Sequence, residues 1–312
     1  MHILVTGGCG YTGTVLTEKL LELGHRVTVV DTQWFGNYLK LNKKLKIIKT
    51  DIRHTDKIPL KGVNTVVHLA NIANDPSVDL KPQLSWEVNV LATQTLIQKA
   101  IQNKVKHFLF ASSGSVYGVK KEKKVTEKLS LVPISTYNKT KMIAERIIES
   151  YEKKIKYHCI RPATVCGYSK RMRLDVTVNM FAHQALTKRI IKVFGGSQIR
   201  PNIHIQDLIN VYLHFIQNPK IKSGCYNAGF ENLKLIDIAK TVSKLIPSKI
   251  KISKNIDKRS YRQFSGKLLS TGFQRKFSIN DAIIELKEKY NSGGLKSNTK
   301  CYTVKWLKKL KV

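Results

Sequence analysis

Acidic residues are scarce in this chain. Asp and Glu total 21 of 312 residues against 55 Lys and Arg, a formal net charge of +34. That excludes an acidic solvating tail and favours anionic partners of some kind. Cysteine is sparse too. Cys9, Cys159, Cys166, Cys225 and Cys301 are odd in number, far apart and without a CxxC pair. A disulfide framework and a zinc site are therefore not expected, and no metal ligands are assigned. No apolar run approaches the ~20 residues that a membrane-spanning helix needs, so integral membrane association is not expected. The opening MHILVTGG has neither a basic region nor an apolar stretch of signal-peptide length, which makes a reduced, cytoplasmic location the expectation. Internal repeats and low-complexity linkers are missing as well, which argues against a detached second domain.

The rest of the composition is ordinary. Hydrophobic residues make up 42% and charged residues 24%, enough for a packed core at this length. Lysines recur throughout, notably in residues 40–46, 120–124 and 305–311. A nucleic-acid binder would add a focused basic stripe and a reading motif. No zinc finger, RNP-like strand or helix-turn-helix is present, so no specific nucleic-acid partner is expected. The charge reads as solvated surface; attraction for small doubly charged ligands or acidic lipids stays open.

The first ten residues carry the most information. Ile3, Leu4 and Val5 form a short apolar run that fits a buried strand. Thr6-Gly7-Gly8-Cys9-Gly10-Tyr11-Thr12-Gly13 follows, and Val15, Leu16, Leu20, Leu21 and Leu23 then mark an amphipathic helix that Gly24 can end. Strand, glycine-rich turn and helix stand in the order of a dinucleotide site. Gly7 allows the tight turn, Gly10 lets the backbone approach a pyrophosphate, and Gly13 lets the helix pack close to the strand. A second apolar run, residues 27–30, ends in Asp31. It lies about 20 residues past the turn, where a carboxylate binds ribose hydroxyls and repels a 2′-phosphate. NAD is expected rather than NADP.

The alternation continues. Residues 45–48, 63–69, 107–111 and 155–160 read as strands, and 82–102 and 135–151 as helices. This predicts an α/β fold, a doubly wound parallel Rossmann sheet with its ligand beyond the carboxyl ends of the strands. After Pro162 the pattern loosens. Residues 174–187, 207–217, 235–245 and 279–288 look helical, and 190–194 looks like a strand. The expected division is a dinucleotide-binding domain over 1–165, to which later segments can return, and a smaller mixed α/β substrate-binding lobe over most of 166–312.

Tyr137 and Lys141 fall at i and i+4, on one helix face. A free tyrosine, with pKa ~10, is a poor base at neutral pH. A lysine cation one turn away favours the phenolate, which can then exchange a proton with a substrate hydroxyl. Alone, this spacing is common on solvated helices. Here it accompanies residues 108–118, FLFASSGSVYG, a strand running into a small polar turn.

On these residues the chain resembles the extended short-chain dehydrogenase/reductase family, of the NAD-dependent nucleotide-sugar epimerase/dehydratase type. VTGGCGYTG at 5–13 is similar to the family's glycine motif, VVHLAN at 66–71 to its fourth-strand motif, and EVNVLATQTL at 87–96 to its VNxxGT helix. FASSGSVYG at 110–118, YNKTK at 137–141 and RPATVCG at 161–167 resemble its serine, tyrosine–lysine and RPxxVYG motifs.

The resemblance implies roles by position. Tyr137 is the catalytic acid/base, and Lys141 activates it and reaches the nicotinamide ribose. Ser113 holds the reacting sugar oxygen, with Ser115 a nearby second candidate. Asp51 and Ile52 flank adenine, Leu69 and Ala70 lie beside the cofactor, and Asn89 supports the site. Tyr11 and Pro162 belong with the cofactor residues. Asn179 meets the substrate phosphates, Arg200 the nucleotide diphosphate, and Arg259 or Arg262 offers a second diphosphate clamp.

Two departures from the family pattern matter. Dehydratases of the family carry Thr-Asp-Glu at the serine motif, where this chain has Ser113-Gly114-Ser115. The missing carboxylate disfavours 4,6-dehydration and decarboxylation. Cys166 stands where tyrosine is commoner and reads as a packing residue. The implied activity is a 4-epimerase acting through a transient keto-sugar. The alternatives are a nucleotide-sugar ketoreductase or dehydrogenase, or a non-catalytic NAD-sensing protein. A homodimer joined by the helices at 82–102 and 135–151 is also implied. Trp34 and Phe35 either shape the adenine pocket or cover their loop. His68 is expected to end a strand and His204 to support the smaller lobe; Trp86 and Trp306 have no chemical reading.

Overall fold

Side chains alternate sides along a strand, and here both sides are buried. Ile3, Val5, Val27, Val29, Val67 and Leu109 enter one apolar core. Leu4, Val30, Val66, Phe108 and Phe110 enter a second core on the opposite face. A sheet covered on both faces explains why its strands read as continuous apolar runs. The computed structural model describes residues 1–254 and 260–311.

In chain order the strands are β1 (His2–Thr6), β2 (Arg26–Asp31), β3 (Leu45–Lys49), β4 (Thr65–His68), β5 (His107–Ala111), β6 (Lys156–Pro162), β7 (Thr164–Cys166), β8 (Ile190–Phe194), β9 (Ile199–His204), β10 (Gly224–Ala228), β11 (Glu231–Lys234) and β12 (Lys249–Ser253). Seven of them form one parallel sheet in the order β10-β6-β5-β4-β1-β2-β3. The winding reverses between β1 and β4, which opens a crevice at their carboxyl ends. Helices Tyr11–Glu22 and Ile205–Gln217 supply buried residues to the first core. Ala92–Gln102 and Thr136–Ser150 do so for the second. Thus the sheet is the expected doubly wound Rossmann type.

A smaller mixed unit has its own core, around Val178, Phe181, Ile191, Ile238 and Ile283. It contains a three-stranded sheet, β11-β9-β7, and the parallel pair β12-β8. Strand β10 lies late in the chain yet pairs with β6, so residues 224–228 return to the large sheet. Its sequence, GCYNA, has no β-branched residue, which hid it from pattern reading. The expected helix over 82–102 runs without a break as Pro82–Trp86, a π-helical turn Glu87–Leu91, and Ala92–Gln102. Such turns recur near functional sites. Among the described residues, no helix is long and apolar enough to cross a membrane.

Candidate active site

The glycine-rich turn is built as its sequence demands. Gly7 has φ +72°, and a Cβ there would meet the Ala70 backbone nitrogen at 2.7 Å. A Cβ on Gly13 would lie 2.1 Å from the Gly7 carbonyl oxygen. Both positions therefore exclude any side chain. Helix Tyr11–Glu22 begins with Gly10 as its cap residue and no capping side chain, so its first N–H groups are available to an anion. Asp31, at the end of β2, accepts N–H bonds from Cys9 at 2.9 Å and Gln33 at 2.7 Å. Burial pushes its pKa up, and these two donors act against that shift.

A cavity of about 720 Å³ opens at the carboxyl ends of the sheet strands. Gly7, Gly10, Tyr11, Gly13 and Asp31 line one part of it, with Asp51, Ile52, Leu69 and Ala70 beside them. Ser113, Ser115, Tyr137, Lys141, Pro162 and Arg200 line another part. Gly7 and Arg200, 193 positions apart in sequence, thus line one cavity. A continuous cleft with a glycine cradle, an uncapped helix end and a carboxylate beyond β2 fits a dinucleotide.

The polar turn after β5 is closed by hydroxyls. Ser113 Oγ and Ser115 Oγ are 2.8 Å apart, and Ser115 donates to Asn138 Oδ1 at 2.6 Å. Burial pushes the Tyr137 phenol up to about 12, while the neighbouring Ser113 hydroxyl acts in the opposite direction. Lys141 is 1% exposed. Its Nζ donates to the Ala111 carbonyl at 2.6 Å and sits 4.7 Å from the Phe110 ring centroid. Burial pushes this ammonium down to about 7, with Glu145 pulling it back up.

That shift makes stability depend on pH. From about 7 up to the ordinary lysine value of ~10.4, the unfolded chain binds one more proton at Lys141 than the folded one. Stability therefore rises with pH across this window, and the full penalty applies below it. Lys141→Met is expected to be more stable than the parent at pH 6 by a few kcal/mol. The advantage should shrink steadily above neutrality, as followed by urea unfolding at several pH values. A difference independent of pH would contradict the buried, depressed lysine.

Asn179, expected at the substrate phosphates, and Asn89, expected among the cofactor residues as a support of the site, are both off the wall. Asn179 is fully buried, with every group used inside the protein. Its Oδ1 accepts from Gly167 N at 2.9 Å, and Nδ2 donates to Tyr11 Oη at 3.0 Å and Arg173 O at 2.9 Å. It holds loops together instead of facing phosphates. Asn89, in the π-helical turn, clasps the Ile72 backbone at 2.8 and 3.1 Å and donates to Thr140 Oγ1 at 3.1 Å. It ties the loop after β4 to the tyrosine helix without touching the cavity. Arg262 does not line the cavity either, and Arg259 lies outside the described residues.

Other expectations resolve simply. His68 is buried between Thr6 Oγ1 at 2.6 Å and Thr93 Oγ1 at 2.9 Å. His204 caps helix Ile205–Gln217 by accepting from Gln206 N. Cys166 is buried, with its thiol pushed up by desolvation. Trp34 and Phe35 line the cavity. Trp306 has a structural role: its Nε1 donates to the Trp34 carbonyl at 2.6 Å.

Sequence reading missed Arg171, Arg173 and Asp175 on the wall, and Val304 and Leu307 from the last helix, Thr303–Leu310. The paired arginines in RMR and the i, i+3 apolar spacing were the available signals. Among the described residues, no cluster of three or more His, Cys, Asp or Glu side chains could hold a metal ion.

Comparison with known proteins gives a consistent result. The model of the NAD dependent epimerase/dehydratase family matches residues 3–229, from the first strand of the large sheet to just past its last. UDP-glucose 4-epimerase of Corynebacterium glutamicum is 32% identical over 247 residues, covering 73% of this chain and 75% of that protein. UDP-glucose 4-epimerase of Lactobacillus helveticus is 28% identical over 272 residues, covering 78% and 82%. The crystal structure of UDP-glucuronic acid 4-epimerase from Bacillus cereus, in complex with UDP-glucuronic acid and NAD, superposes with a TM-score of 0.80 at 26% identity. It covers 93% of this chain and 100% of that one. The cradle, the carboxylate beyond β2 and the family match lead to one assignment: this chain belongs to the NAD-dependent epimerase/dehydratase family, an extended short-chain dehydrogenase/reductase with NAD as its cofactor.

Proposed function

We propose that the protein is a nucleotide-sugar 4-epimerase working through a transient keto-sugar. The observation that carries this reading is the turn Ser113-Gly114-Ser115, which brings hydroxyls and no carboxylate to the wall shared with Tyr137 and Lys141. Asp75 and Asp175, on the same wall, are engaged by Ser135 and Arg173. The turn thus lacks the acid/base pair that eliminating water would use. The names of the relatives, UDP-glucose 4-epimerases, support a UDP-sugar.

When bound, NAD supplies the hydride acceptor and donor. Tyr137 takes the proton of the sugar hydroxyl at its phenol oxygen and later returns it. Ser113 holds that sugar oxygen, with Ser115 behind it at 2.8 Å. Lys141, one helical turn away on the same wall, favours the phenolate through its charge when protonated. Arg200, on the same wall and 5.4 Å from the Tyr261 ring centroid, is assigned to the substrate diphosphate. Asp31 takes the adenosine ribose, and Asp51 and Ile52 the adenine. The substrate lies between the domain over 1–165 and the lobe over 166–312.

A homodimer belongs to this reading. Trp86 is 38% and Leu91 56% exposed on the helical stretch over 82–102, an apolar surface suited to a second copy.

The test is incubation with UDP-, GDP-, dTDP- and CDP-sugars without added nicotinamide, followed by chromatography and mass spectrometry. A product of unchanged mass and altered retention is expected. A loss of water would contradict the reading, and turnover only with consumed NADH would replace it with ketoreduction.

A further inference from the structure

Arg171 is a buried cation with no ion-pair partner among the described residues. It is 4% exposed. Its one hydrogen bond to the described residues runs from Nη1 to the Met172 carbonyl at 3.5 Å, and its Nε has no partner. It forms no ion pair with any described carboxylate. Burial and the nearby charge of Arg173 push it down to about 10, and the Asp175 carboxylate only partly offsets them. An unpaired buried guanidinium is costly to fold, so the position is one where an anion would be strongly favoured.

Its location specifies which anion. The guanidinium stacks 3.9 Å from the Phe35 ring centroid, four residues beyond Asp31, and lines the same cavity as Gly10, Tyr11 and Thr12. Its charge also reaches Asp31, whose carboxyl it pulls downward. The segment that carries it is pinned. Tyr11 Oη donates to the Gly167 carbonyl at 2.7 Å. Asn179 accepts from Gly167 N and donates to Arg173 O and to Tyr11 Oη. One buried amide therefore fixes both ends of residues 167–173 against the first residue of the helix that opens at the glycine-rich turn. The cation is held at the adenosine end of the cleft.

We propose that Arg171 is a second binding element for the cofactor, a guanidinium from the loop after β7 that binds the NAD pyrophosphate across the cleft from the glycine-rich turn. The turn offers backbone N–H groups and a helix end, which carry partial charge. Arg171 adds a full charge and a planar fork of donors matched to phosphate oxygens. Binding then satisfies the orphaned guanidinium and joins the two sides of the cleft through the cofactor. Sequence motifs miss it because its partner is a ligand bound mainly by residues some 160 positions away. The inference rests on the NAD site and is independent of which sugar is used.

The test compares NAD-free full-length protein with Arg171→Gln and Arg171→Lys. Calorimetric titration would use NAD, ADP-ribose, NADP and UDP. Arg171→Gln is expected to weaken NAD and ADP-ribose by about 10- to 100-fold, the range of a charge-assisted hydrogen bond. UDP affinity should not change. Arg171→Lys should fall between, since it keeps the charge without the fork. Without cofactor, Arg171→Gln should unfold at no lower temperature than the parent, because a buried charge is gone, while the thermal shift given by NAD should shrink. If Arg171→Gln does not fold, the same titrations on Arg171→Lys decide the question. Unchanged NAD affinity would overturn the proposal. So would a loss confined to UDP, which would assign the arginine to the substrate, or one confined to NADP, which would assign it to a 2′-phosphate.

Discussion

Tyr137→Phe is expected to lower kcat by about a thousandfold, within the range contributed by general acid–base catalysis. NAD affinity should stay within a factor of about two, far below the effect of a lost charge-assisted hydrogen bond. The substitution removes one oxygen from the cavity wall and leaves the ring, which packs against the second core, in place. The glycine cradle and Asp31 are untouched. Steady-state kinetics with the active nucleotide-sugar, together with NAD titration, would measure both quantities. A variant with near-parental kcat would remove Tyr137 from the mechanism. One that lost NAD binding as well would show that the phenol serves the cofactor and not the proton.

The second large effect concerns the frame behind the site. Glu145 and Arg161 are 2% and 5% exposed at their side chains and pair at 2.7 Å. The contact is bidentate, with Arg161 Nε reaching the other carboxylate oxygen at 2.9 Å. Ser112 donates to the same carboxylate, and Arg161 Nη1 donates to Tyr117 Oη at 2.6 Å. Tyr117 Oη donates a hydrogen bond to Asn227 Oδ1 at 2.8 Å, which links β6 and β10 to the serine turn. Glu145→Ala would strand the arginine in this network. Breaking one side of a buried pair costs about 3–5 kcal/mol. Denaturant unfolding should show that loss, with Tm falling on the order of 10 °C. The variant should also depress Lys141 further, because Glu145 supports its protonation. A loss below about 1 kcal/mol would place the pair in the class of solvated surface bridges and contradict the network.

The parts of the site that were legible in the sequence are those whose chemistry is local. Gly7, Gly10 and Gly13 answer to a turn and a helix start within seven residues. Tyr137 and Lys141 sit on one helix face, and Ser113 follows a strand that its apolar run announces. Asn179 was misplaced because its environment comes from Tyr11, 168 residues away, and sequence shows only an asparagine on a helix. Arg171 was invisible for a similar reason. Its burial and stacking on Phe35 arise only when the loop after β7 folds over the glycine-rich turn. In the last helix the lysines of KWLKKLK dominated the reading. Yet Val304 and Leu307 face the cavity, and Trp306 bonds the Trp34 backbone. Strand β10 shows the same limit for the fold. GCYNA carries little strand propensity, and its partner β6, 62 or more residues earlier, supplies the ladder that makes it a strand.

The most direct measurement uses UDP-glucose carrying deuterium at C4, incubated with the holoenzyme in ordinary water. The expected product is inverted at C4, of unchanged mass, and still carries the deuterium there, because only the hydroxyl proton passes through Tyr137 and exchanges with solvent. Inversion with deuterium lost to water would mean that the C4 hydrogen leaves as a proton, and would contradict the oxidation–reduction mechanism.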